Sequence, residues 1–272
     1  MILFLLCAPA FAKKCFAVSD DFGFDFTQAE LEYGFRNGVF KNYDGQAPDA
    51  YGYGGITDPV KYLKDRYGAK TVILIEGPYV LSVQNRSQSA LNNCLPDDLK
   101  GKGTCSLTAI AMFMDYFRAE RGYSNIESNI YVLYEYIVRN SSLLFGGTNP
   151  FKIDNYVTNC FNYYGYSNVR GHTDNTNKIS KIKSEIDEGR PVIMSLSQGY
   201  YGNHTIVIRG YSVYQVTKKG FLGIGTTTNY LMLNVADGWG TSGTVYLDVE
   251  GLDWDAAGSF GLVWNMVRAI EE

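Results

Sequence analysis

The chain has 272 residues, 24 Lys+Arg against 28 Asp+Glu for a net charge of -4, and 46% hydrophobic residues. This fits one large globular domain or two modest ones with a substantial core, and 15% aromatic with 19% charged residues excludes disorder, collagen and coiled coil. No block of Lys and Arg is present to track phosphates, so no nucleic-acid partner is expected.

Residues 1–12 are wholly apolar and close on Ala10-Phe11-Ala12, the small-x-small form of a signal-peptide cleavage site, with Lys13 and Lys14 next. They are read as a signal peptide, which predicts a secreted or extracytoplasmic protein. A spanning helix needs about 20 apolar residues, and no segment reaches that length, so no stable membrane anchor is expected. After such a cut Cys15, Cys94, Cys105 and Cys160 remain. They are too few to staple a domain of this size, and with only His172 and His204 available and no close cysteine pairs, a structural zinc site is not expected. A bridge between Cys94 and Cys160, or one from Cys94 that silences Cys105, stays open at this point.

Residues 13–98 read as an N-terminal flank or propeptide-like region. They carry two short periodic stretches, 27–35 and 60–67, a glycine-rich loop at Gly52, Gly54 and Gly55, and one buried strand at 71–75 (Thr-Val-Ile-Leu-Ile). From Ser106 the apolar residues Leu107, Ile110, Ala111, Met114 and Phe117 recur at three and four, the face of an amphipathic helix with Cys105 in its first turn. A second helix is expected to open at Ser124 with Glu127 as a capping box, and to bury Ile130, Leu133, Tyr134, Ile137 and Val138. A third starts at Pro150 and presents Ile153, Val157, Cys160, Phe161 and Tyr164, which makes Cys160 a core residue. A fourth carries Ile179, Ile182 and Ile186 and stops at Gly189, before Pro191. Beyond Pro191 the period becomes that of strands, at 192–196, 205–209, 230–235 and 243–247. The stretch 218–228, with Gly220, Gly223 and Gly225, is a hairpin loop rather than a phosphate loop, because no helix follows it. Helices first and antiparallel strands afterwards is the α+β pattern.

Three residues stand where acyl-transfer chemistry needs them. Cys105, after Gly101 and Gly103, lies at a helix N-terminus, where free N–H groups and the dipole favour a thiolate; a small buried side chain suits the same place. His204 heads the apolar strand Thr205-Ile206-Val207-Ile208, a position fit for a general base or for an ordinary hydrogen-bonded histidine. Its rival, His172, falls in a polar loop, 170–178, and is expected to be solvated. Asp237, in Asp237-Gly238-Trp239-Gly240, follows the apolar run 231–235. A carboxylate there can accept the imidazole's other N–H under the shelter of Trp239, or the pair is simply an Asp-Gly turn. Tyr200 and Tyr201 are either groove-lining residues or loop anchors.

The segments Gly103-Thr104-Cys105-Ser106-Leu107-Thr108-Ala109-Ile110-Ala111-Met112, Gly202-Asn203-His204-Thr205-Ile206-Val207-Ile208-Arg209-Gly210-Tyr211 and Val235-Ala236-Asp237-Gly238-Trp239-Gly240, with Gly189-Arg190-Pro191-Val192, come in one fixed order. Together they resemble papain-like bacterial cysteine peptidases, a group that includes the double-glycine leader (bacteriocin-processing) peptidases and streptopain. The resemblance covers about residues 99–252. It implies a papain-like α+β fold over residues 99–272, a helical half bearing the nucleophile and then an antiparallel sheet half. It further implies Cys105 as nucleophile, His204 as general base and then acid, Asp237 as orienting residue, no cofactor, a peptide or protein substrate, and a monomer. The family's oxyanion-stabilising Gln has no match in 97–104. Gln88, or the pair Asn92 and Asn93, takes that place if a loop intervenes, and Gln88 is favoured. NlpC-type and CHAP-type cell-wall amidases share the Cys-then-His order, and an inactive papain-like binding module would share the fold.

Overall fold

The spine of the molecule is a long strand, and its sequence explains why. Val207 and Ile206 with Ile208 alternate along 204–218, so both faces carry apolar side chains and both must be covered. The protein is described by a computed structural model, which covers residues 53–144, 147–148, 152–174, 179–197, 201, 204–218, 225–240, 243–251 and 262–271. The elements in chain order are α1 (Pro59–Tyr67), β1 (Ala69–Val80), α2 (Gln88–Asn93), α3 (Cys105–Glu120), α4 (Ile130–Arg139), β2 (Leu143–Leu144), β3 (Gly147–Thr148) and α5 (Ile153–Tyr163). Then come β4 (Val169–Asp174), α6 (Ile179–Asp187), β5 (Val192–Ser197), β6 (His204–Lys218), β7 (Thr226–Ala236), β8 (Val245–Asp248) and β9 (Leu262–Glu271).

Seven strands form one sheet, six in the order β4-β9-β5-β6-β7-β8 and β1 beside β6, every pairing antiparallel. β6 is its pivot. β5 pairs with 204–208, β1 takes over the same edge from Gly210 to Lys218, and β7 runs along the other edge for nearly the whole length. Helices α3, α4 and α5 pack on one face, over Ile193, Val207, Ala236 and Val267. On the other, Ile182 and Ile186 of α6 meet Met194, Ile206, Ile208 and Val235. α1 covers the far end of β6 and β7 through Leu63, which is wholly buried against Val216 and Met232.

The mixed helix and antiparallel-sheet architecture agrees with the expected α+β class, but the segregation is incomplete. β1 precedes the large helices and β4 falls between two of them, yet both enter the same sheet. The run 71–75 is not the buried strand its composition predicts: Ile73, Leu74 and Ile75 are 55%, 41% and 47% exposed. Among the described residues β1 is bonded to β6 alone, so an apolar run here marks a strand without marking a core position. His172 is not in a loop either; it sits half-buried on β4, paired with Arg268 of β9. The second helix starts at Ile130, capped by Asn129, whose Oδ1 accepts from the Tyr131 N–H at 3.0 Å; Glu127 instead accepts from the Asn129 N–H. The stretches 27–35, Pro150 and 219–224 lie outside the described residues, but β6 and β7 stay paired out to Lys218 and Thr226, as a hairpin requires.

Residues 59–80 contribute a helix and a strand to this framework. Asp58 caps α1 by accepting from the Lys61 N–H at 2.9 Å, and the hydroxyls of Tyr62 and Tyr67 donate to the buried carboxylate of Asp248 at 2.9 and 2.6 Å. Burial holds that carboxyl above its ordinary value and the two phenols well above theirs. Leu63→Ala is expected to lower unfolding free energy by about 2–5 kcal/mol, read as a shifted midpoint in urea; an unchanged midpoint would mean that α1 is not part of the cooperative unit.

Candidate active site

The first turn of α3 is built by its neighbours. Thr104 takes an extended conformation as N-cap, with its hydroxyl accepting from the Leu107 N–H at 3.4 Å and lying 2.6 Å from the Thr148 hydroxyl of β3. Gly103 is required by close approach: a Cβ there would lie 1.6 Å from Asn92 Oδ1 and 2.1 Å from the Tyr134 hydroxyl. Asn92 accepts from that hydroxyl at 2.5 Å and donates to the Gly103 carbonyl at 3.5 Å. These contacts fix the turn that presents Cys105, whose residue is 7% exposed.

His204 enters from the start of β6 and is 2% exposed. Ser106 Oγ and Thr205 Oγ1, 2.8 Å apart, bolt α3 to β6 beside it. The rings of Trp239 and Tyr201 lie 4.9 and 5.9 Å from the imidazole and 5.2 Å from each other, an aromatic wall that keeps water from the ring. Tyr201 is therefore a buried anchor and not a groove surface; Tyr200 lies outside the described residues.

The electrostatics of the two side chains run together. Burial alone pushes the Cys105 thiol up and the His204 imidazolium down. The mutual charge between them outweighs this, helped by Thr205 at the sulfur and the Asp237 carbonyl at the ring. The thiol is thereby held below its ordinary value and the imidazole above its own. Cys160 shows what burial does without such a partner: in the core of α5 its thiol is pushed up to about 12. Cys94, Cys105 and Cys160 are all unbridged, so neither disulfide left open by the sequence forms.

Asp237 meets the imidazole differently from the expectation. The group on His204 Nε2 is the main-chain carbonyl of Asp237, 2.6 Å away, which makes Nε2 the donor and leaves Nδ1 for the thiol. The carboxylate serves the turn: Asp237 Oδ1 accepts from the Trp239 N–H at 3.0 Å and from Asn85 Nδ2 at 2.9 Å. An Asp side chain at the head of such a turn bonds its own backbone two residues on, and that use of Oδ1 competes with a bond to the ring.

Gln88 is 5% exposed, and its N–H donates to the Gly238 carbonyl at 2.7 Å. Its segment is lashed down on both sides: Arg209 donates to the Val83 carbonyl at 2.8 Å, and the Arg86 N–H meets the Met112 sulfur of α3 at 3.2 Å. The structure thus brings Cys105, His204 and Asp237 together and seats Gln88 on the chain bonded to Gly238. Asn92 is occupied in the Gly103 turn, Asn93 is exposed, and His172 lies at the far end of the sheet on β4. Asn85 and the main-chain role of Asp237 were not legible in the sequence, where Asn85 is one polar residue in an irregular stretch. Among the described residues no group of three His, Cys, Asp or Glu side chains is placed to hold a metal ion.

No curated protein and no solved structure matches the chain. Residues 80–266, over half of the chain and all the side chains of this site, match the model of the Peptidase_C39 like family; the chain belongs to that family, which points to a cysteine peptidase acting on a peptide or protein substrate.

Proposed function

We propose that this protein hydrolyses peptide bonds through a thioester acyl-enzyme, with Cys105 as nucleophile, His204 as base and acid, Asp237 as the residue that orients His204, and Gln88 in the oxyanion hole. The observation that carries this reading is the buried Cys105 and His204 pair, in which each side chain favours the charged form of the other against desolvation. The thiolate attacks the peptide carbonyl carbon, an S–C bond forms, and the carbonyl oxygen becomes an oxyanion facing the Cys105 N–H and the Gln88 amide. The imidazolium gives its Nδ1 proton to the leaving amine as the C–N bond breaks. Water then attacks the thioester, His204 takes its proton, and the acid departs with the thiolate restored. We place residues 53–98 within the working domain, since α1 and β1 pack on the same sheet as His204. The bacteriocin-processing and streptopain likenesses, export and a monomeric state are parts of the same proposal.

Covalent labelling by a peptidyl fluoromethyl ketone tests it. The expected result is one adduct per chain, mapped to Cys105, absent from Cys105→Ala and slowed at least about 100-fold in His204→Ala. Equal labelling of Cys94, or indifference to His204, would leave a papain-like scaffold without turnover.

A further inference from the structure

Asn85 lies between β1 and α2, outside the set of residues the chemistry names, yet its amide grips the site at two points. Its Nδ2 donates to Asp237 Oδ1 at 2.9 Å, and its Oδ1 accepts from the Gly238 N–H at 3.0 Å. That N–H belongs to the same peptide unit as the Asp237 carbonyl, which accepts from His204 Nε2 at 2.6 Å. In a trans peptide the C=O and N–H point in opposite directions. The groups therefore stand in series: His204 Nε2–H to the Asp237 carbonyl, then the Gly238 N–H to Asn85 Oδ1.

We propose that Asn85 is a positioning residue which, through the Asp237–Gly238 peptide, sets the direction and acceptor strength of the carbonyl that holds His204. The inference rests on the reading of Cys105 and His204 as the reacting pair. Hydrogen bonds in series polarise one another, so an acceptor on the N–H makes the carbonyl of the same peptide a better acceptor. A main-chain carbonyl carries no formal charge, and its hold on an imidazolium depends on such support more than a carboxylate's would. Gly238 adopts φ +77, a left-handed conformation that a side chain would strain, so the turn is formed by a residue that cannot fix it alone. Asn85 supplies the fixing, and Asn suits the place because it offers one donor and one acceptor side by side. The same segment bonds the other side of Gly238, through the Gln88 N–H to its carbonyl at 2.7 Å.

The test is the pH dependence of Cys105 alkylation by iodoacetamide in the full chain, for wild type, His204→Ala, Asn85→Ala and Asn85→Leu. Asn85→Leu keeps the volume of the side chain and serves if Asn85→Ala fails to fold. Both apolar variants are expected to raise the labelling midpoint by about one pH unit, so that at pH values below the wild-type midpoint the rate falls about tenfold. A residue that merely stabilises the loop would lower the melting temperature and leave the midpoint in place. An unmoved midpoint in Asn85→Leu, with His204→Ala raising it, overturns the role of Asn85 alone. An unmoved midpoint in His204→Ala overturns the reacting pair and this inference with it.

Discussion

Cys105→Ala is expected to abolish peptide hydrolysis, with kcat falling at least about 10⁴-fold, because removing a nucleophile that acts as a unit with its base leaves only the background of binding and oxyanion stabilisation. The fold is expected to survive the change. Cys105 is small and lies outside the apolar cluster that holds Leu107, Ile110 and Phe113, so the melting temperature is expected to move by no more than a few degrees, on the order of 1 kcal/mol. Turnover of a quenched peptide pool, followed by mass spectrometry of the products, measures the loss. Residual activity above one-tenth of wild type would mean that the chemistry lies elsewhere in the chain.

Gln88→Ala is expected to lower kcat about 10²–10³-fold with KM nearly unchanged, the signature of a donor that binds the oxyanion only in the transition state. Gln88 is buried and its main-chain N–H is bonded to the Gly238 carbonyl, so its side chain rides on an ordered segment. Gln88→Glu, of the same shape but with a carboxylate in place of the amide donor, is expected to lose as much as Gln88→Ala. Full activity in Gln88→Glu would assign the second oxyanion donor to another group.

The residues that carry long periodic patterns were readable before any coordinates. The spacing of Leu107, Ile110, Met114 and Phe117 placed α3 and put Cys105 in its first turn, and the apolar run after His204 placed β6. Short-range cues were weaker. Ser124 with Glu127 has the form of a capping box, yet Asn129 stands nearer the first buried residue, Ile130, and caps the helix instead. The strand 169–174, Val-Arg-Gly-His-Thr-Asp, has one large apolar residue, so its pairing with β9 leaves no period to read. Exposure of Ile73 to Ile75 depends on which strands lie beside β1, a tertiary fact that no window of five residues contains.

At the site the division is similar. Residue types and order pointed to Cys105, His204 and Asp237, because each motif is local. What was hidden is which atom of Asp237 meets the ring, since a carboxylate and a carbonyl belong to the same letter of the sequence. Asn85 was hidden for a related reason: its partners are 152 and 153 positions away. Such a contact exists only once 83–88 is laid against the turn after β7.

The most direct measurement of the central claim is the rate of Cys105 alkylation against pH in wild type and in His204→Ala. The thiol is held below its ordinary value of 9.0 and the imidazole above its 6.5, because each favours the charged form of the other, so removing the imidazole removes what holds the thiol down. Wild type is expected to show fast labelling that persists below pH 9.0, and His204→Ala a single titration at or above the ordinary thiol value. The same single titration in both proteins would contradict the central claim.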